Sequence, residues 1–566
     1  MSLLGALNAG KSALATHQAA LQVTGNNIAN AGNPDYTRQV ARVATNQDQE
    51  VRPGIFLGTG INLSSVQRQI DEALEGRLRG SISDSIGTDT LQQWLSRIES
   101  VFNELTDQDL STQLSNFFNA WSNLANKPQD PGLRQVVVQT GQAVANWIQS
   151  IRNDISNLQV DADKRLEARV VDADRIAQQI ADLNGRIVVA EGGGEGQANG
   201  LRDQRDQLLK ELSQLLDIKT VEQSSGVVDV YVGSEPLVIN TTNRGVDLRK
   251  ETVDGNLQTT VIFKADKGTI KLRSGELGAL SAVRSEHLEK VLGQLDSLAG
   301  NLIFELNKIH ASGQGTAGFS SVTGTAVVAD PAAALSDPAS GLAFKPVNGS
   351  FVVHVTNKTT GLTTSTLIQV DLDGAGGDTT LASLVADIDA IGEISADITA
   401  GRLRIQADSS NVEISFSQDT SGVLAALGIN TFFTGSNARD IAVNSVIAQN
   451  PNMLAASGNG DSGDNQTALK IAALETTPLT VFNGISLQET YQQMVNQVAV
   501  NAAAARNDAE AAAAVRLTFE AQRESLSGVS LDEEAINLIR QQRAFQGAAR
   551  LITVVDELMQ TILGLV

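Results

Sequence analysis

The stretch from Gly528 to Val566, GVSLDEEAINLIRQQRAFQGAARLITVVDELMQTILGLV, decides how this chain is built. Leu531, Leu538, Phe545, Ile552, Met559 and Val566 stand seven apart, and Ala548, Val555 and Ile562 form a second row beside them. A seven-residue repeat lines apolar side chains along one stripe of an α-helix, and such a stripe asks for a partner helix. Ser530 and Glu533 make an S-x-x-E capping box just after Gly528, which marks the start. No stop signal follows, so the spacing predicts a helix that stays apolar to its end.

The other end of the chain carries the matching pattern. Leu7, Leu14, Leu21 and Ile28 recur every seven residues, flanked by the small residues Ala6, Ala13 and Ala20. Two arrangements satisfy both stripes. The ends can pair within one chain, or they can pack into neighbouring copies, because a heptad specifies pairing but not whose helix supplies it.

Between the ends the period changes twice. Leu166, Val170, Ala173, Ala177, Ile180 and Ile187 step along a helix face, EGGGEGQANG (191–200) breaks it, and Leu201, Leu208, Leu212 and Leu215 resume it as an αα-hairpin. Within that return helix, Arg202 and Asp206 are spaced as an i,i+4 pair on a solvated face. β-branched runs punctuated by glycine follow from about 220 to 275. A helix is expected at about 276–311, strands from about 313 to 440 with a short helix near SLVADIDAI, and helix again from about 486.

The fold expected is therefore α+β and multidomain, with paired N- and C-terminal coiled-coil helices, a long helical bundle domain and β-rich inserted outer domains. The division is 1–70 with 486–566 as a terminal core, 71–220 with 276–312 and 441–485 as a helical rod, 221–275 as a β-rich segment, and 313–440 as a β-rich outer insertion.

Composition narrows the function. The chain has 566 residues, beyond what one core holds, and 42% of them are hydrophobic. A net charge of −22 repels nucleic acid and anionic membrane alike. With no cysteine there is no disulfide framework and no thiolate metal site. The N-terminus lacks the basic and apolar regions of a cleavable signal, and no run reaches the roughly 18 apolar residues of a membrane span.

The motifs that suggest chemistry fail on context. GALNAGKS (5–12) matches the P-loop pattern, but a P-loop needs a buried strand ahead of its glycines, and here the motif lies inside the heptad pattern. DLDGAGGD (371–378) hints at a calcium loop, yet Ala375 and Ala382 stand where oxygen ligands belong, so it reads as a Gly-rich turn. GNGDSGDNQ (458–466) reads as a solvated loop. His17, His287, His310 and His354 are scattered and form no zinc motif. No catalytic residue, cofactor or metal is expected.

One further stretch carries a resemblance. NNIANAGNPDYTRQ (26–39) resembles the signature of the flagellar rod, hook and hook-associated protein family, in which an N-terminal helix ends in N-N-I-A-N; the P-x-Y-T-R-Q continuation is similar to its hook-associated branch. Physically, the asparagines are expected to end the helix with left-handed backbone angles, and Pro34 to turn the chain. GTGINLSSVQRQID (58–71) resembles the family's hairpin, NGLRDQRDQLLKEL (199–212) its D-x-R-D helix, LNKIHASG (306–313) a further segment, and 528–563 its C-terminal helix. Ala31-Gly32 departs from the family's frequent Asn-Thr.

The resemblance implies a structural subunit joining hook to filament, with a hook or distal rod subunit as the alternative and a P-loop protein as a remote one. It implies export, uncleaved, by the flagellar type III system to an extracellular place on the flagellum. Its implied partners are a ring of like subunits, the hook protein, a second hook–filament junction protein, and an export chaperone on the C-terminal helix. No nucleic acid or membrane is implied. The assembly interface expected is Leu7, Leu14, Leu21 and Ile28 with Leu538, Phe545, Ile552 and Met559.

Overall fold

In the computed structural model of the chain, residues 3–102, 109–192, 197–253 and 256–564 are described. Val566, the last heptad position, and part of the 191–200 loop lie outside them.

Helix α1 (Leu3–Ala29) opens the chain, followed by β1 (Gln39–Thr45), β2 (Gln49–Arg52), β3 (Ile55–Leu57) and β4 (Ile61–Arg68). Four helices come next: α2 (Glu72–Phe102), α3 (Leu110–Asn126), α4 (Pro131–Glu191) and α5 (Asn199–Leu215). Strands β5 (Ile218–Glu222), β6 (Val228–Val232), β7 (Glu235–Ile239), β8 (Thr242–Asn243), β9 (Val246–Val253) and β10 (Asn256–Phe263) lead to α6 (Gly275–Ala282) and α7 (Glu289–Ala311). The helix expected at 276–311 is thus present, but one π-helical stretch, Val283–Leu288, interrupts it.

Then come β11 (Ser321–Thr323), β12 (Gly349–Asn357), β13 (Thr363–Val370), α8 (Leu381–Asp389), β14 (Ile394–Thr399), β15 (Arg402–Ala407) and β16 (Val412–Ser417). The short pieces α9 (Val423–Leu427), β17 (Phe433–Thr434), β18 (Ala442–Val443), α10 (Ser445–Gln449) and α11 (Gln466–Ala473) follow. Helices α12 (Leu487–Ser527) and α13 (Leu531–Leu563) close the chain.

Local chemistry sets several of these boundaries. Asp130 accepts from the amides of Gly132 and Leu133, and Pro131 sits in the first turn of α4, where its missing N–H costs nothing. Asp109 caps α3 through the Thr112 amide at 2.6 Å. Thr380 and Ser383 form a full capping box on α8, the short helix expected there. Ser530 caps α13.

The chain divides into two compact units. The first takes residues 1–94, 162–283 and 503–566. Its apolar seam is the α4 face read from the sequence: Leu166, Val170, Ala173, Ala177, Ile180 and Ile187 are all buried. Asn184, between them, is fully buried too and organises the sheet β5-β6-β7-β8. Its amide donates to the carbonyls of Val228 and Asn240, and its oxygen accepts from the Val228 amide and from Arg205.

The second unit takes residues 95–161 and 284–502. It holds two three-stranded sheets, β13-β12-β16 and β11-β15-β14. Its helical part closes on an aromatic cluster of Phe117, Phe118, Trp121, Phe432 and Phe433, with ring centroids 4.7–6.4 Å apart. Gly141 lets α4 approach this cluster, since a Cβ there would stand 2.6 Å from Phe432. The architecture is α+β and multidomain, as the periodicity changes indicate.

Candidate functional site: the paired termini and their latch

Helices α1 and α13 pair antiparallel within the chain. Asn27 meets Glu534, His17 meets Gln541 at 2.8 Å, and Gly10 meets Ile552. A Cβ on Gly10 would stand 2.9 Å from the Ile552 side chain, so this glycine sets how closely the helices approach. That gives the GALNAGKS stretch a packing role. It lies wholly inside α1, not in a loop ahead of a helix start.

The side chains wholly buried along α1 are small or polar: Gly10, Thr16, Ala20, Thr24 and Asn27. Leu7, Leu14, Leu21 and Ile28 are half-buried, as are Leu538, Phe545, Ile552 and Met559 on α13. The second row of α13 lies deeper, with Ala548 and Val555 buried; Leu531 and Ile562 are exposed. Beside this seam, α13 leaves Leu551, Val554, Leu558 and Ile562 exposed, with Ile536 and Ile539 exposed nearer its start.

The chain leaving α1 forms a polar latch. Asn27 is 1% exposed and works in two directions. Its amide donates to the Gln39 carbonyl and to Glu534, while its oxygen accepts from the Tyr36 hydroxyl at 2.7 Å and the Gln39 amide. Arg38 forks onto Glu533 and Glu534 at 2.9 and 2.8 Å, and its amide donates to the Ser527 carbonyl in the α12–α13 joint. Arg523 reaches back from α12 to the Pro34 carbonyl at 2.6 Å and to buried Glu75. Burial, with Asp203 and Glu534 adding negative charge, pushes the Tyr36 hydroxyl up to about 12, so it stays a donor.

The latch corrects one expectation. The asparagines of NNIAN do not take left-handed angles. Asn26 and Asn27 stay inside the last turn of α1, and Asn30 folds its amide back onto the Asn26 carbonyl. Their side chains, not their backbone freedom, do the work.

A second correction concerns α5. Arg202 and Asp206 do not pair on a solvated face. Arg202 is buried and bonds Glu191 and Glu222, whereas Asp206, with Asp203, holds Arg68 at the end of β4. Arg205 is also fully buried, donating to the Gly226 carbonyl at 2.6 Å. Within the first unit, this helix is an internal strut that ties the β1–β4 ribbon to the β5–β6 hairpin.

Other motifs resolve into structure as well. His310 is wholly buried; its Nδ1 donates to the Asn430 carbonyl and its Nε2 accepts from the Ala455 amide. Burial holds its imidazole down to about 4, so it is neutral. Asp371, Asp373 and Asp378 come within 4.8 Å of one another and are the one such acidic group among the described residues. Asp373 and Asp378 accept from the amides of their own turn, as a Gly-rich turn requires. In the 458–466 loop, Asp464 likewise accepts from Gly458 and Asn459.

Sequence reading missed Glu534, Gln541, Glu75 and Arg523. The signal for two of them was present. Counting back by sevens from Val555 and Ala548 reaches Gln541 and Glu534, polar residues on an otherwise apolar row.

Residues 95–325 match the model of the FlgK helical domain of flagellar hook-associated protein, and residues 521–565 match that of the C-terminal region of the flagellar basal body rod FlgEFG proteins. Flagellar hook-associated protein 1 of Escherichia coli is 24% identical over 584 residues, covering 99% of each chain. The protein of the same name from Bacillus subtilis is 27% identical over 570 residues, covering 99% of this chain and 97% of its own. The structure of the flagellar hook junction protein FlgK from Burkholderia pseudomallei superposes with a TM-score of 0.50 at 17% identity, over 80% of this chain and all of that one, a likeness of fold.

Proposed function

The chain is a full-length relative of the FlgK-type flagellar hook-associated proteins, and on that premise we propose that it is a structural subunit of the bacterial flagellum that joins hook to filament. The observation that carries this reading is the terminal pair. Helix α13 fills one face against α1 and leaves Leu551, Val554, Leu558 and Ile562 open, which is what a subunit made to be continued by other subunits requires. Its role is mechanical: the latch fixes where the helix pair starts, and the pair makes the joint.

The finer parts of the proposal follow. Copies form a ring, contacting the hook protein on one side and a second hook–filament junction protein on the other. Leu7, Leu14, Leu21, Ile28, Leu538, Phe545, Ile552 and Met559, each still half-exposed, complete their burial there, at about 25 cal/mol per Å² of apolar surface removed from water. The terminal core of 1–70 and 486–566 is axial, and the 313–440 insertion faces outward. The chain leaves the cell by the flagellar type III route, with an export chaperone on its C-terminal helix beforehand.

Deleting the gene in its motile source tests the reading. Electron microscopy should show hooks without filaments, and filaments of normal length on the deletion strain would end the proposal. An Ile552→Asp chain should reproduce the bare-hook phenotype while the second unit stays folded.

A further inference from the structure

We propose that β13, an open edge strand of the second unit, pairs antiparallel with β13 of a second copy of this chain, closing a two-fold dimer through one continuous sheet. The pairing does not rest on the junction reading. An isologous contact closes at two copies and does not extend into a ring, so this is a property of the free chain.

Hydrogen bonding leaves the edge open. β13 lies at the end of the sheet β13-β12-β16 and pairs on one side only. The Asn357 amide donates to the Leu362 carbonyl, so the pairs that bond across the hairpin are Val355 with Thr364, Val353 with Thr366 and Phe351 with Ile368. Thr363, Ser365, Leu367 and Gln369 fall between them and turn their N–H and C=O groups away from β12. Among the described residues no hydrogen bond reaches those groups. Asp371, next in the series, bonds Thr379 through both its amide and its carbonyl, and there the open edge ends.

The other edges of the two three-stranded sheets are guarded. Phe319 bridges Ile414 on the outer side of β16, the Asp389 carboxylate takes the Ala396 amide of β14, and β11 is three residues long. β13 has none of these devices. From Thr359 to Val370 there is no charge, no proline and no shift of register, and Leu362 and Leu367 are 72% and 55% exposed. Such an edge recruits another strand unless something covers it.

A second β13 fits by geometry. A two-fold axis at Ser365 sets that residue against the partner's Ser365 and sets Thr363 against the partner's Leu367, each pair exchanging both hydrogen bonds. Gln369 then meets the partner's Gly361, where the chain turns back with φ at 71° and so stops short of Thr379. An axis one residue further along would drive that glycine onto Thr379.

Charge completes the fit. Alternation puts Lys358, which pairs with Glu413 at 3.5 Å, and Asp371 on the solvent face of the sheet, with His354, Thr363 and Ser365. Asp371, Asp373 and Asp378 lie within 4.8 Å of one another, and none has a cationic partner among the described residues. The two-fold axis keeps the solvent face continuous and brings the tip of the partner's β12–β13 hairpin, with its lysine, level with Asp371 at each end of the joint. A parallel strand would set lysine beside lysine and acid beside acid. The dimer thus hides an edge that would otherwise take any extended segment.

Sedimentation of the full-length chain should show a dimer that dissociates on dilution. Leu367→Pro removes only an outward amide, which an edge strand tolerates, and Leu367→Lys places a charge on the edge; each should weaken the dimer at least about tenfold with the circular dichroism unchanged. A chain monomeric up to about 100 µM overturns the proposal. So does a dimer that keeps its strength in Leu367→Lys, whether or not Ile552→Asp on the terminal helices removes it. The chain has no cysteine, so single thiols report the register. Under air oxidation Ser365→Cys should link two copies, whereas Gln369→Cys, about 26 Å from its counterpart across the axis, should not. No link at Ser365→Cys, or equal linking by both, overturns the proposal.

Discussion

The aromatic core of the second unit and the terminal helix pair of the first bury side chains by opposite rules. The core closes over Phe117, Trp121, Phe432 and Phe433, each at most 1% exposed, and Asn307 ties the Phe432–Phe433 backbone from beneath through three hydrogen bonds. The terminal pair buries Gly10, Thr16, Ala20, Thr24, Asn27, Glu534, Ala548 and Val555 while leaving its leucines and isoleucines half-buried or exposed. One region is finished as a monomer. The other spends its small and polar residues on fixing geometry, and its large apolar ones are left for a surface still to come.

The largest expected effect is on the finished side. Trp121→Ala should cost about 4 kcal/mol, read by calorimetry as an earlier transition of the second unit, because a rigid aromatic cluster collapses poorly around a hole. A loss under about 1 kcal/mol would mean the cluster repacks, and the contrast between the regions would weaken.

On the latch, Arg523→Ala leaves Glu75 buried without its cation and should cost the first unit about 3 kcal/mol. Replacing both, as Glu75→Leu with Arg523→Met, should recover most of that. Recovery would show that the pair specifies the position of α12 more than it stabilises the unit.

Acid should act selectively on the second unit. The fold holds His310 neutral, with its imidazole lowered from the usual 6.5 to about 4. The stability this contributes is present above pH 6.5 and is lost as pH falls toward 4, because the unfolded chain takes up the proton first. Between pH 7 and pH 5 the loss should be about 2 kcal/mol. Urea titrations at the two pH values measure it, and a His310→Gln chain should show a flatter dependence.

The smallest effect sharpens the comparison most. Gly10→Ala gains helix propensity but presses on Ile552, for a net cost of about 1 kcal/mol. Stability should barely move, whereas hook–filament assembly, which needs the helices at their set distance, should fall. Full assembly by this variant would deny the close approach its role.

Much of this was legible in the sequence because it is periodic. The heptads predicted both terminal helices, the 3–4 steps from Leu166 to Ile187 predicted the α4 face, and the shift to β-branched runs placed β5 to β10. What periodicity could not tell was depth. Leu7, Leu14, Leu21 and Ile28 look like a core stripe, yet the row through Ala13, Ala20 and Asn27 lies closer to α13, because short side chains let the helices approach and push the leucines to the flank. Depth failed again in α5, where Arg202 and Asp206 read as a solvated pair. Their partners, Glu191 and Glu222 for the one and Arg68 for the other, come from outside the helix, and local spacing holds no record of them.

The hydrogen bond between Asn27 and Glu534 joins residues 507 positions apart. During synthesis from the N-terminus, α1 must wait for almost the whole chain before its partner exists, so the terminal pair is the last part to close. Loop-closure entropy grows only with the logarithm of length, and doubling the intervening chain would add about 0.6 kcal/mol. The middle of such a protein can lengthen, shorten or exchange its outer β-rich region with little penalty to the joint, provided the two ends still meet.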